Sequence, residues 1–491
     1  CASINKRTEK WYEFKDHRWH EIDCANTLYN ALSVDVFNKF MSISIHYSTQ
    51  SVESVSPTDK EVLAIRAKFF NTIAMKLRQN TVKKRIMGEL AHLFHIPGFQ
   101  EMLDSNEYLM CFRNGVIDLK THEFREGLYD DYLSLCTNTD YIPYDPNNPI
   151  MKQVEKFLSE IQPNEQDCEY LKILLGSNLQ GVQPEKFYIW TGGGGNGKSI
   201  LISLLEYTMG DYVGKINVSV ITNSRGKSGE ASPELIKLKG TRWVAMEEPE
   251  DYKPMNVNLM KQLCGGDTLT ARPLYGNPIT FKLQCGWFLV CNDMPMIPQS
   301  AAKDRGTWRR IEVLHYGSDF VEKPDPSIEY QFKIDYELSQ KIKTWTEAFQ
   351  SMLVHYHWLF KNKYHGVIPK PRSVLDATND YQQDNDTILS YMESAIQKSE
   401  DSTAYLNVKI IHAGFAEWYR TEIGNKPPNL KEFRSYMAKT YKRKYKARTN
   451  RLMGFTWKST EEEEENTIKT SVGNVVIEPD QTHDELSLIH I

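Results

Sequence analysis

The segment that most constrains this chain is Phe187–Ser199, FYIWTGGGGNGKS. An apolar run, Phe187–Trp190, leads into the glycines. Ile200, Leu201, Leu204 and Leu205 follow at helical spacing before Gly210. Strand, glycine loop and helix in that order predict an α/β domain with a phosphate-binding (Walker A) loop. Glycines let backbone N–H groups turn inward around phosphate oxygens. The helix N-terminus adds partial positive charge. Gly192, Gly193, Gly194, Gly195, Asn196, Gly197, Lys198 and Ser199 are the candidate nucleotide-binding residues. Lys198 would reach the β/γ-phosphates and Ser199 would ligate Mg²⁺. An accidental Gly-Lys-Ser in a glycine-rich turn would not come with the flanking strand and helix.

A phosphate cradle also needs an acid for the metal and a base for water. Arg242–Met246 reads as a strand ending in Glu247-Glu248, although Glu250 and Asp251 also suit a solvated loop. Gly286–Cys291 reads as a strand tipped by Asn292, whose amide can hold water or a γ-phosphate; Asn292-Asp293 is equally good turn chemistry. Asp304–Arg310 brings arginines before a strand at Ile311–His315, as fingers or as plain surface ion pairs. Leu269–Leu274 and Ile279–Leu283 can pair across Tyr275–Pro278, a hairpin carrying Arg272, Tyr275 and Lys282. Tyrosine stacks on bases and cations meet phosphates, but spacing alone does not separate this from an ordinary surface hairpin.

Together these segments resemble the superfamily 3 helicases, above all the poxvirus-type primase–helicases of large nucleocytoplasmic DNA viruses. The matching stretches are GGGGNGKS at 192–199, VAMEE at 244–248, KQLCGGDTLTAR at 261–272 with YGNP following, and FLVCN at 288–292. FRNGVIDLKTHEFREG at 112–127 and EYLKILLGSNLQG at 169–181 resemble that family's pre-ATPase element and collar helix, so the likeness covers residues 1–400. It implies an AAA+-type ATPase using ATP and Mg²⁺. Lys198 and Ser199 would take the nucleotide and metal roles, Glu247 the metal-side acid, Glu248 the general base and Asn292 the γ-phosphate sensor. Arg309 or Arg310 would be a finger acting in trans. It also implies a homohexameric ring on single-stranded and forked DNA, pore hairpins, other replication proteins as partners, and the host-cell cytoplasm. One departure stands out. The hairpin tip here is Tyr275-Gly276-Asn277 in place of a basic tip, so Arg272, Tyr275, Asn277 and Lys282 all remain DNA-contact candidates. The family's primase domain lies upstream of the matching stretch, so primer synthesis is not expected of this chain. Cys1 in first place likewise reads as a piece of a longer polypeptide.

Composition narrows the classes further. No apolar run approaches the ~20 residues of a membrane span, no signal peptide follows Cys1, and the 11% aromatics exclude a disordered chain. The 8 cysteines form no CxxC pair, which argues against zinc ribbons and for a reducing compartment. Net charge is −5, but residues 401–460 hold 13 Lys/Arg against 4 Asp/Glu, and 461–491 hold 1 Lys against 9 Asp/Glu. The reading is an α+β N-terminal domain (1–148), helical collar (149–184), ATPase core (185–320), helical segment packing on it (321–400), basic module (401–460) and acidic mobile tail (461–491). The basic module reads strand–helix–helix–hairpin, an order resembling a winged helix. Lys431, Arg434, Lys442, Arg443, Lys444, Lys446 and Arg448 are its DNA candidates. Its bland alternatives are a solvated basic face or a dock for the tail. Two rivals to a DNA motor stand: a DNA-binding ATPase that initiates or assembles without unwinding, and a soluble P-loop kinase or NTPase.

Overall fold

The computed structural model describes residues 1–5, 10–23, 25–182, 184–222, 233–247, 254–272, 278–299, 301–424 and 426–458. Glu248, Tyr275, Asn277 and the acidic tail therefore lie outside the described residues. The chain divides into two units, Cys1–Gln382 and a second from Gln383 onward.

The first unit centres on a five-stranded, wholly parallel sheet. Its strands are β1 (Phe187–Thr191), β2 (Val213–Asn217), β3 (Trp243–Glu247), β4 (Gly286–Cys291) and β5 (Ile311–His315). Their spatial order is β5-β1-β4-β3-β2. All of β1 and β4 is buried, as expected where helices cover both faces of a parallel sheet and strands become continuous apolar runs. Edge strand β2 is mostly half-exposed and reads less clearly in the sequence. In register, Thr191 faces Cys291 and His315, while Glu247 faces Val290 and Asn217. The carboxyl ends of all five strands thus share one edge, where open α/β sheets hold their ligands.

Helices α1 (Pro149–Ile161), α2 (Glu165–Ser177), α3 (Lys198–Met209) and α4 (Thr346–Asn362) complete this layer. Asn148 caps α1 by accepting from Ile150 N–H at 2.8 Å, with Pro149 in the first turn where no N–H is needed. Val154, Phe157, Leu158 and Ile161 bury one stripe of α1, and α2 and α4 supply Leu171, Leu174, Phe349, Met352 and Leu353 to the same core.

Before this layer come two antiparallel three-stranded sheets, Ala2–Asn5 with Lys10–Lys15 and Arg18–Asp23, and Leu109–Phe112 with Gly115–Asp118 and Glu123–Arg125. Between them run helices Phe37–Glu53, Pro57–Leu77 and Asn80–Leu93. The helical run is thus interrupted near Arg78 and again after Leu93.

The second unit holds Val408–Glu422 and Leu430–Thr440 beside a small sheet of Tyr405–Asn407, Arg451–Met453 and Tyr445–Lys446. Helix Thr387–Ala395 belongs here, with Ile388, Tyr391 and Met392 in this unit's core. Ile396–Lys398 also pairs with Phe455–Trp457. The expected 321–400 segment is therefore split: its last part packs in the basic module, because the pairing partner lies there. Its first residues are not helical, since Asp319–Val321 and Gln331–Lys333 form a parallel strand pair, whereas Thr346–Asn362 is a helix packed in the main core.

Candidate functional site

The glycine loop joins the end of β1 to the start of α3, and its glycines are required by what surrounds them. A Cβ on Gly192 would lie 2.3 Å from the Tyr316 carbonyl just beyond β5. Gly197 has φ +85°, and a Cβ there would lie 2.4 Å from Ile161 Cγ2 at the end of α1. A side chain at either position collides with its wall. Gly193, Gly194 and Gly195 are exposed. Buried Asn196 braces the turn, its Nδ2 donating to the Gly193 carbonyl at 2.6 Å and the Tyr316 carbonyl at 3.2 Å. Lys198, only 5% exposed, aims its ammonium into the loop. It donates to the carbonyls of Gly192 (2.7 Å) and Gly193 (3.1 Å) and to Asn196 Oδ1 (3.0 Å). Ser199 is exposed on the first turn of α3.

Two further candidates share that edge of the sheet. Asn292 follows β4, its carbonyl accepting from Thr191 Oγ1 at 3.0 Å, which ties the tips of β1 and β4 together. Glu247 ends β3 with its side chain exposed, paired to Lys215 at 3.2 Å; Lys215 also meets Glu206 on α3 at 2.9 Å. Burial opposes the charge on Lys215, but the two carboxylates outweigh it and hold its ammonium above the usual lysine range.

Arg309 and Arg310 lie elsewhere. They precede β5, where the Arg310 carbonyl accepts from Phe187 N–H at 2.7 Å at the start of β1. A strand rises about 3.3 Å per residue, so a length of β1 on the order of 16 Å separates them from the glycine loop. Both approach Glu185 Oε2, Arg309 at 3.1 Å and Arg310 at 3.4 Å. Within one chain they do not join the loop.

The hairpin pairs Thr268–Ala271 with Ile279–Lys282; residues 273 and 274 of the expected first arm lie outside the described residues. Arg272 is exposed. Lys282 meets Glu107 at 2.6 Å, so the hairpin base is fastened to the N-terminal region. In the second unit, Lys431, Lys442, Arg443, Lys444, Lys446 and Arg448 are exposed, and Arg434 is half-buried. Lys444 lies over the Phe455 ring at 4.6 Å.

Comparison with known proteins bears on this arrangement. The family described as "D5 N terminal like" matches residues 3–163, and a family of unknown function matches 190–310. The mimivirus protein "Putative helicase L207/L206" is 35% identical over 89% of this chain and 46% of its own length. "Putative helicase 022R" of Frog virus 3 is 25% identical over 76% of this chain and 45% of its own length. "Putative primase C962R" of African swine fever virus is 26% identical over 73% of this chain and 38% of its own length. The chain is thus similar to viral putative helicases and putative primases. It spans less than half the length of these relatives. The swine fever virus protein is less similar to this chain than the mimivirus one. A solved structure of the NrS-1 C-terminal region aligns at TM-score 0.35 and 13% identity, over 62% of this chain and 73% of that one.

Sequence reading of this primase–helicase relative overlooked Arg242, which precedes β3. It is 1% exposed and donates to the carbonyls of Leu179 (2.9 Å) and Gly240 (3.0 Å) and to Gln284 Oε1. Longer contacts reach the carbonyls of Asn106 (3.3 Å) and Leu109 (3.4 Å). One guanidinium so joins the N-terminal sheet, the end of α2 and the strand carrying Glu247. The one available signal was an arginine directly before an otherwise apolar strand. His122 Nε2 and His357 Nδ1, 2.8 Å apart, were missed as well. Among the described residues no helix is long and apolar enough to cross a membrane, and no cluster of three His/Cys/Asp/Glu is placed to hold a metal.

Proposed function

We propose that this chain is the ATP-driven motor of a viral primase–helicase, an AAA+-type superfamily 3 helicase that translocates on single-stranded DNA and opens forks. The observation that carries the proposal is the shared strand-end edge: Lys198 within the glycine loop, Asn292 on the neighbouring strand and Glu247 on the next. ATP and Mg²⁺ fit these residues. The loop excludes side chains at Gly192 and Gly197, and Lys198 already satisfies three oxygen acceptors, as it would phosphate oxygens. Ser199 and Glu247 are hard oxygen donors. Mg²⁺ typically takes one or two such protein ligands and fills its shell with phosphate oxygens and water. Bound there, the metal would neutralise charge developing on the transferred phosphoryl group.

The chain's own residues then have separable tasks. Gly193, Gly194 and Gly195 offer backbone N–H groups, Lys198 supplies positive charge, and Asn292 orients water or the terminal phosphate. Glu248 is the proposed base. Lys215 competes with metal for Glu247, so metal binding draws Glu247 away from that ion pair. Arg309 and Arg310, remote from their own loop, serve the loop of a neighbouring copy, which calls for a homo-oligomer, a hexameric ring. Arg272, Tyr275, Asn277 and Lys282 form the pore hairpin. The basic module works as a winged helix on DNA, in the host-cell cytoplasm, with replication proteins and a linked primase domain as partners.

The test is ATP hydrolysis with and without single-stranded DNA, for wild type and Lys198→Ala, on material sized in solution. DNA-stimulated turnover by a ring-sized species, lost in the variant, is the expected result. DNA-independent turnover by a monomer would refute it.

A further inference from the structure

The helices Pro57–Leu77 and Asn80–Leu93 carry a second charged surface that the proposed motor does not use. Residues 57–95 contain 8 Lys/Arg against 3 Asp/Glu. Lys60, Arg66, Lys68, Lys76, Arg78, Lys84 and Arg85 are all exposed. Elsewhere in the first unit, cations commonly meet carboxylates, as in Lys10–Glu21, Arg113–Asp140, Arg125–Asp131 and Lys282–Glu107. On these two helices none of the seven forms an ion pair with a described carboxylate. Arg66 instead lies over the Tyr47 ring at 5.8 Å, and Arg78 over Phe37 at 4.3 Å.

Apolar side chains stand among these charges. Ala67, Ala74 and Leu77 bury the inner stripe of Pro57–Leu77. The opposite stripe, at i, i+3, i+4, i+7 and i+11, is Ile65, Lys68, Phe69, Thr72 and Lys76. Ile65 is 63% exposed and Phe69 is 60% exposed. Water solvates lysines well, so a row of them alone needs no partner. A phenyl ring and an isoleucine left in water between them gain from being covered.

We infer that this face binds single-stranded DNA. Cations along the stripe match a phosphate backbone. Phe69 and Ile65 match base faces, which a duplex keeps stacked inside and a single strand presents outward. An acidic protein segment would satisfy the charges but gives the exposed ring no planar partner. This surface lies on residues absent from the proposed ATPase site, pore hairpin and basic module.

The test measures binding of a fluorescein-labelled oligothymidylate to the full chain without nucleotide, as a function of salt. It compares wild type, K68A/K76A and F69A, with thermal unfolding checked for each. Single strands contribute about 0.7 per neutralised phosphate to the salt slope, so the double variant should lose up to about 1.4 from that slope. F69A should weaken binding roughly five- to tenfold with its slope unchanged, and narrow the preference for single strand over duplex. Unchanged slope in the first variant, or unchanged affinity in the second, overturns the inference. So does competition by polyglutamate as strong as by unlabelled oligothymidylate, which would assign the face to an acidic protein. No ATP is present, so a chain that fails to hydrolyse ATP leaves this result readable. A chain that hydrolyses it normally does not rescue the inference.

Discussion

Replacing Arg242 with methionine tests how much a buried charge, without an ion-pair partner among the described residues, holds together. The guanidinium is 1% exposed and burial lowers its affinity for its proton, so the charge is costly where it sits. It repays this through bonds to Leu179 O, Gly240 O and Gln284 Oε1, with two longer contacts. At about 1.5 kcal/mol for each charge-assisted bond, the three shorter ones contribute on the order of 4–5 kcal/mol. Methionine removes the desolvation cost but strands the acceptors, each at about 1–3 kcal/mol. The net expectation is a loss of about 3 kcal/mol. At about 2–3 °C per kcal/mol for large domains, Tm should fall by about 6–9 °C. Tryptophan fluorescence reports it directly, since Trp243 is the next residue and fully buried. A Tm within about 1 °C of wild type would refute the reasoning, because bonding and desolvation would then cancel.

Three other expectations follow from the same geometry. Gly197→Ala places a Cβ against Ile161 at a left-handed φ; fluorescent-nucleotide titration should show ATP affinity reduced tenfold or more, and Ile161→Ala in the same chain should restore part of it. Arg309→Ala removes a side chain that is 57% exposed, so Tm should hold while turnover of the assembled protein falls. Mixing it with Lys198→Ala should regain some activity, and no recovery would rule out action between copies. His357 is pushed down to about 3 by burial first, then by His122 and Lys361. Its folded value lies below the ordinary 6.5, so its contribution is complete above pH 6.5 and declines as pH falls towards about 3, by up to ~1.4 kcal/mol per pH unit. Tm measured against pH should flatten over that window in His357→Leu, and an unaltered slope would count against it.

The parts of this structure legible in the sequence are those fixed by local pattern. β1, β4 and β5 are apolar runs because both their faces are covered, and the glycine loop is visible because its backbone admits few other residues. Asn148 and Pro149, by contrast, read as linker by composition, although they cap and begin α1. The basic module's order of strand, helices and hairpin was readable too. What escaped depends on distant partners. Arg242 gathers carbonyls from residues 106, 109, 179 and 240, which no spacing rule connects. His122 and His357 meet across 235 positions. Helix Thr387–Ala395 could be assigned to the basic module only once Ile396–Lys398 was seen paired with Phe455–Trp457.

The contact between Gly197 and Ile161 has a mechanical side. The turn before α3 rests against the end of α1 with no room for even a methyl group. Just beyond α1, Gln162 donates to the His315 carbonyl at 3.1 Å, while the Glu160 carbonyl accepts from Ser318 Oγ at 2.6 Å. There is no slack in this joint. Val154, Phe157, Leu158 and Ile161 are buried along α1, so the turn before α3 shares its wall with the main core, and a side chain forced in at Gly197 would press on that core as well as on the nucleotide site.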